Sequence, residues 1–184
     1  ISLYGAAKLA CEGMISAYCH LFGLRGLMFR FGNVVSARMS HGVIYDFIRK
    51  LQQNSRELEI LGDGRQRKNF FLVEDCIDGM FFARDHMDEK PCEVYNLGSQ
   101  STVSVTEIAQ IVAAEMGLSN AEFRYTGGDR GWPGDVPTVI YDIGKMRALG
   151  WEARQSSADA VRIATRRLLE QGKIESVPSV PHSA

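Results

Sequence analysis

Apolar residues recur every three or four positions between Tyr4 and Phe22, at Ala7, Ala10, Cys11, Met14, Ile15, Tyr18 and Leu21. That spacing predicts a helix with one buried face, ended by Gly23. The next stretch, LRGLMFRFGNVV (24–35), loses the helical period and reads as a short buried strand running into a loop. Helical spacing returns in GVIYDFIRKLQQ (42–53), and LEILGDG (58–64) reads as a strand entering a turn. NFFLVEDCIDGMFFARDHM (69–87) couples a strand to a helix whose N-terminal end is favoured by Glu74, Asp75 and Asp78, with Asp75 as the expected cap. CEVYNLG (92–98) reads as another buried strand, and Ser104 with Glu107 three residues on forms a capping box for TEIAQIVAAEMG (106–117). AEFRYTGG (121–128) leads into a loop with Gly131, Pro133, Gly134 and Pro137. A final helix is expected over 157–171, with Ala158, Val161, Thr165 and Leu168 towards a core and Arg162 and Arg166 outward. Residues 173–184, with Pro178 and Pro181, read as a flexible tail. Strands alternating with helices predict one α/β unit containing some parallel sheet.

Composition narrows the function classes. A chain of 184 residues that is 45% hydrophobic is long and apolar enough for an ample core. Its net charge of -1 offers no bulk attraction to a polyanion, so no nucleic-acid partner is expected. No apolar run approaches the ~20 residues of a membrane span, and no signal peptide is visible. The expected location is cytoplasmic, with no membrane partner. Cys11, Cys19, Cys76 and Cys92 show no C-x-x-C spacing, and the four His residues form no H-E-x-x-H pair. No metal site is expected; the cysteines read as small buried residues in a reducing compartment.

The chemistry begins with Tyr4 and Lys8, which lie one turn apart on one helix face. A phenol titrates at about 10 in water, and a nearby ammonium favours its ionised form. Such a pair is suited to general-base work on a sugar hydroxyl. The spacing recurs at Tyr141 and Lys145 in YDIGK, so spacing alone does not select a site.

Order along the chain does. SLYGAAKLACE, then FRFGNVVSAR, LGDGRQRKNFFLVEDC, VYNLG, GWPGDV and ALGW follow one another between residues 1 and 152. In that order they resemble the C-terminal portion of the extended short-chain dehydrogenase/reductase family, and most of all its nucleotide-sugar epimerases of the UDP-glucose 4-epimerase kind. The resemblance implies an α/β fold: the C-terminal part of a Rossmann-type protein with its small substrate-binding domain, the N-terminal dinucleotide-binding unit being absent. Residues 1–35 would then be the tail end of the NAD-binding domain, and 36–172 mainly the nucleotide-sugar domain, with some strands returning to the Rossmann sheet. The chain is accordingly read as a fragment or truncated reading frame, inactive and prone to aggregate alone, from a protein that is a homodimer at full length.

The family's functional residues carry over at matching positions. Tyr4 would be the catalytic tyrosine, with Lys8 holding the nicotinamide ribose and favouring the phenolate; Tyr4, Lys8 and Phe31 would contact NAD. In the family's mechanism the phenolate removes the proton of the sugar's 4-hydroxyl while NAD takes the hydride, and the 4-keto sugar turns over before the hydride returns. Asn33 would lie beside the diphosphate; its alternative reading is a turn asparagine. Lys68 and Asn69 stand where relatives usually carry arginine and aspartate, so a phosphate contact by Lys68 would lack a bidentate fork. Arg65 and Arg67 are neighbours that could compensate, unless the cluster is a solvated turn. Arg130 would be the arginine that precedes the Gly134–Asp135 pair, Asp135 would hold the ribose or tie up loop amides, and Val139 would border the hexose, being small enough for N-acetylated sugars. Trp132 would pack on a base or cover core surface. The implied substrate is a nucleotide-diphosphate sugar, with a 4,6-dehydratase, a reductase or a non-catalytic binding remnant as alternatives.

Overall fold

The structure, a computed structural model, describes residues 2–132 and 135–172. The expected tail, 173–184, and Pro133 and Gly134 of the loop lie outside the described residues. Helix α1 (Leu3–Phe22) starts at Ser2, whose hydroxyl oxygen accepts the Gly5 N–H at 3.0 Å, and stops at Gly23 with φ 65°. There follow β1 (Gly26–Phe31), β2 (Asn33–Val35), α2 (Val43–Gln53), β3 (Glu57–Ile60), β4 (Arg67–Lys68), β5 (Phe70–Leu72) and α3 (Val73–Asp85). The remainder comprises β6 (Cys92–Leu97), β7 (Val103–Ser104), α4 (Val105–Glu115), β8 (Glu122–Tyr125), α5 (Gly144–Ala148) and α6 (Ser157–Glu170). The pairs β1–β6, β2–β5 and β3–β8 are parallel, and the short pair β4–β7 is antiparallel.

The strand expected within 24–35 is followed not by a loop but by a second strand, because the chain changes partner at Gly32. Gly32 donates its N–H to Leu97 O of β6, and Asn33 donates its own to Asn69 O beside β5. A Cβ at Gly32 would collide with the Asn69 side chain, so only glycine permits the crossing. Strand β5 then divides two cores by its alternation. Phe70 and Leu72 join Ile44, Ile48, Leu58, Ile108 and Val161 under α2, α4 and α6. Phe71 faces the other way, towards Tyr95, Leu97, Met146 and Trp151. The predicted capping box forms in full: Ser104 Oγ accepts the Glu107 N–H while the Glu107 carboxylate accepts the Ser104 N–H at 2.7 Å. On α6, Val161, Thr165 and Leu168 are buried as the pattern requires, and Arg166 reaches out to Glu115 of α4 at 2.6 Å.

Two expectations are corrected. Asp75 is no cap: Leu72 occupies the N-cap of α3, and Asp75 sits buried in the first turn, accepting the Arg154 N–H at 3.2 Å. Burial pushes its carboxyl above the usual carboxylate range, against the pull of Arg154. It fastens the 151–156 segment to α3. The stripe on α1 is not a buried face either. Cys19 alone is buried, whereas Met14 is 61% and Leu21 76% exposed. The reason is width: among the described residues α1 packs mainly on β1 and β6, and β1 pairs with β6 alone. Its apolar face therefore outruns the sheet.

Two glycines in similar helical settings should respond oppositely to alanine. Gly13 on α1 has open space on the side where a methyl group would stand, with nothing within 4 Å, so Gly13→Ala should gain about 0.5–1 kcal/mol in urea unfolding. At Gly79 on α3 the methyl would meet the Trp151 ring at 2.7 Å, and Gly79→Ala should lose about 1–3 kcal/mol. The open face of α1 should drive self-association of the 184-residue chain. Replacing Leu9, Met14 and Leu21 with Lys should shift light scattering towards monomer, and an unchanged size distribution would assign the association to another surface.

Candidate functional site

A cleft of about 570 Å³ opens between β2, α2, the β3–β4 segment and the 131–135 loop. Its walls are largely apolar, with Val35, Phe47, Phe70 and Ile108 among them. Polar groups enter from three short stretches. Asn33 opens β2 at the point of partner exchange, and both its N–H (2.9 Å) and its Nδ2 (3.0 Å) donate to Asn69 O. Lys68 ends β4 with its ammonium against the Asp135 carboxylate. The Asp135 side chain is 3% exposed and the Lys68 side chain 19%. Asp135 also accepts the Gly131 N–H at 3.1 Å, and the Lys68 Nζ lies 4.7 Å from the centre of the Trp132 ring. One loop thus presents a carboxylate and an indole to one ammonium. Asp135 does what the loop-amide reading expects, and it also engages Lys68. Trp132 covers no core: it is 57% exposed at the cleft.

Strand alternation sorts the basic cluster. Gln66 and Lys68 face the cleft, while Arg67 points away, bonding Thr102 Oγ1 at 3.1 Å and pairing with Glu107 at 3.2 Å. Arg65 is exposed in the turn, its N–H held by Asp63 Oδ1 at 2.9 Å. Neither arginine lines the cleft. Gln66 is the cleft residue that motif reading passes over, although its place two residues before Lys68 on an extended segment signals a shared face. It is 3% exposed; its Nε2 donates to Leu61 O at 3.2 Å, while its Oε1 has no partner. A buried acceptor left so costs about 1–3 kcal/mol.

The remaining expected residues lie outside the cleft lining. Arg130 has an exposed side chain at 3.9 Å from Asp129. Val139 runs beside β4, donating its N–H to Arg67 O at 3.2 Å. Tyr4 is 73% exposed on α1, with the Lys8 Nζ 5.4 Å from its ring centre, so the two share a face as their spacing requires. Phe31 ends β1 half-exposed, 6.0 Å from the ring of Phe29. The rival spacing at Tyr141 and Lys145 forms no pair: Lys145 donates to Val94 O at 2.9 Å and pairs with Glu93 at 3.3 Å. Tyr141 instead lies near Tyr4, and burial, with a smaller contribution from that neighbour, raises its phenol above the usual value. No group of three or more metal-ligating side chains gathers among the described residues, and no described helix is long and apolar enough to cross a membrane.

Residues 1–98 match the profile of the NAD dependent epimerase/dehydratase family. The chain is 31% identical over 156 residues to a putative UDP-glucose 4-epimerase of Methanocaldococcus jannaschii, a match covering 83% of this chain and 48% of that protein. It is 33% identical over 164 residues to the UDP-N-acetyl-alpha-D-glucosaminuronate decarboxylase of Bacillus cytotoxicus, covering 80% of this chain and 50% of the other. Among solved structures, a UDP-galactose 4-epimerase superposes with a TM-score of 0.81 at 39% identity, over 92% of this chain and 54% of that one. The chain therefore spans about half the length of the relatives it matches. Their shared α/β architecture is of the Rossmann type, and this chain corresponds to a portion of it.

The buried ion pair should dominate the stability of the cleft. Lys68→Met leaves Asp135 buried without its cation and should cost about 3–5 kcal/mol, whereas adding Asp135→Asn should restore most of that loss. Urea unfolding of the single and double variants checks it.

Proposed function

The chain belongs to the NAD dependent epimerase/dehydratase family, and from that premise we propose that it forms the nucleotide-sugar side of an NAD-dependent 4-epimerase acting on UDP-hexoses or UDP-N-acetylhexosamines. The observation that carries this reading is the cleft, apolar along its walls, where Asn33, Lys68 and Asp135 converge from separate stretches. An epimerase has to hold the nucleotide while leaving the sugar free to turn, so anchoring groups belong at the diphosphate and ribose rather than around the hexose. Lys68 supplies the charge for the diphosphate, Asn33 the neighbouring amide, and Arg130, outside the cleft lining but next to Gly131 and only loosely paired with Asp129 at 3.9 Å, a second cation that would turn in on binding. Asp135 steadies Lys68 and offers an acceptor to a ribose hydroxyl. On this reading residues 1–35 complete a dinucleotide-binding domain, residues 36–172 receive the nucleotide sugar, and the whole protein pairs with a second copy.

For NAD, the residues present fit one end. Tyr4, Lys8 and Phe31 lie at exposed ends of α1 and β1, suited to the nicotinamide and its ribose. Gly62 and Gly64 run from β3 to β4 rather than into a helix, so they make no pyrophosphate cradle. When bound, NAD supplies the hydride acceptor and donor for the sugar carbon. Tyr4, as phenolate beside Lys8, takes the proton of the 4-hydroxyl and gives it back to the ketone oxygen when the carbon is reduced from its other face. The Lys8 ammonium lies over the Tyr4 ring, 5.4 Å from its centre.

Calorimetry of UDP against the 184-residue chain tests the cleft. Binding should weaken by about 1.5–3 kcal/mol in the Lys68→Met/Asp135→Asn double variant, and likewise in Arg130→Ala. Unchanged affinity in both would return these side chains to a structural role. In a chain carrying a dinucleotide-binding unit ahead of α1, Tyr4→Phe should abolish turnover of UDP-glucose while leaving its binding intact. Retention of more than about a tenth of wild-type turnover would remove Tyr4 as the base.

A further inference from the structure

We propose that Cys19 and Cys92 form a dithiol site: a hydroperoxide oxidises Cys92, and Cys19 closes on it to give a disulfide that fastens α1 to the β1–β6 sheet. The two cysteines come from different elements and meet at Gly26. Cys19 is the one buried residue of α1, at 3% exposed. A Cβ built on Gly26 would stand 2.7 Å from the Cys19 Sγ and 3.9 Å from the Cys92 Cβ. Both groups therefore border one point, the space that a side chain at position 26 would fill. Gly26 and Cys92 are direct neighbours in the parallel register of β1 and β6. Cys92 turns its sulfur towards the same helix, with its Sγ 3.5 Å from the Ser16 Oγ. Ser16 stands three residues before Cys19 and so shares its face of α1.

The other two cysteines lack this arrangement. Cys11 is exposed on α1, and Cys76 lies in the core with Phe71 and Trp151, where burial pushes its thiol above the usual value. Within the pair, Cys92 is the half-exposed member that a small oxidant reaches, while Cys19 is sealed. That sets the order of events. The Cys92 sulfur, as thiolate, attacks a peroxide oxygen; the O–O bond breaks, and with hydrogen peroxide the products are Cys92 sulfenic acid and water. The Cys19 sulfur then attacks the Cys92 sulfur and gives up its proton, and the sulfenic oxygen leaves as a second water. Two thiols are oxidised to one disulfide, and one peroxide is reduced to two waters. A disulfide requires Cβ atoms about 3.5–4.5 Å apart. Any remaining gap closes by a small shift of α1, which its thin packing permits.

The test uses the full 184-residue chain carrying Cys11→Ser, which removes the exposed thiol, with hydrogen peroxide as the probe. One equivalent should remove the mass of two hydrogen atoms from the monomer and join the peptides that carry Cys19 and Cys92, leaving Cys76 free. Dithiothreitol should reverse the change. Cys19→Ser should stop the reaction at a Cys92 sulfenic acid that dimedone traps, and Cys92→Ser should leave Cys19 unoxidised. Cys19→Ala gives the same comparison should serine at that buried position unfold the chain. The linked chain should unfold at a higher urea concentration than the reduced one, because the bond restricts the unfolded state. Peroxide that leaves both thiols free, adds oxygen to Cys92 without the link, or joins either cysteine to Cys76 or to a second copy overturns the site. A linked chain with an unchanged urea midpoint overturns the fastening of α1.

Discussion

The amide of Asn69 is the point on which the cleft depends. Its main-chain oxygen accepts both hydrogen bonds from Asn33, and its side chain ties Ser99 N–H (3.1 Å) and Ser101 O (2.8 Å) to the start of β5. Gly32 and Gly98 both run so close to that side chain that a Cβ on either would collide with it. Two strands of one sheet thus end against a single side chain, and the chain leaves one of them to begin the cleft. Ser157 extends the network: fully buried, its hydroxyl bonds Phe70 N–H (2.9 Å) and Ser101 O (2.7 Å), setting the start of α6 against β5. A carboxylate at position 69 would have no proton for Ser101 O, so the neutral amide is chemically matched to these carbonyls.

What Asn69 places, the Lys68–Asp135 pair poises. Cations on the cleft lining are matched with carboxylates, Lys68 with Asp135 and Lys50 with Asp46 at 3.2 Å. Such a lining has little surplus positive charge, and on the proposed reading a diphosphate would share Lys68 with Asp135 rather than find it free. Sharing has one advantage: the ammonium is already held at its position before the ligand arrives, so less side-chain freedom is lost on binding. Trp132 adds a polarisable face beside the same ammonium without removing its hydrogen-bonding capacity. Arg130, by contrast, is exposed and nearly unrestrained, so any contact it makes comes with an ordering cost.

The other face of the molecule is organised by a different balance. Sheet β1–β6 lies between α1 and α3, with Arg30 of β1 forked onto Glu12 of α1 at 2.6 and 2.7 Å. That pair orients the helix that carries Tyr4 and Lys8, while most apolar side chains of the same helix stay exposed. The Tyr4–Lys8 pair is therefore held by a helix whose own packing among the described residues is thin.

Much was legible from local pattern. The capping box at Ser104, the α6 stripe, the glycine stop at Gly23 and the same-face placing of Tyr4 and Lys8 are short-range matters of dihedral preference and helical period. They came out as the residues dictate. The order of weak motifs along the chain also pointed to the family before any contact was known. Tertiary structure alone decided the rest. The exchange of strand partners at Gly32 depends on Asn69, thirty-seven positions away, and the role of Asp75 depends on Arg154, in a segment joined to it only by folding. Periodicity revealed that α1 has an apolar face but not whether anything lies beneath it, because burial belongs to the partner surface and not to the helix. The cleft brings β2, β4 and the 131–135 loop together across a hundred residues of chain, and only that convergence shows Gln66 to hold an unanswered acceptor.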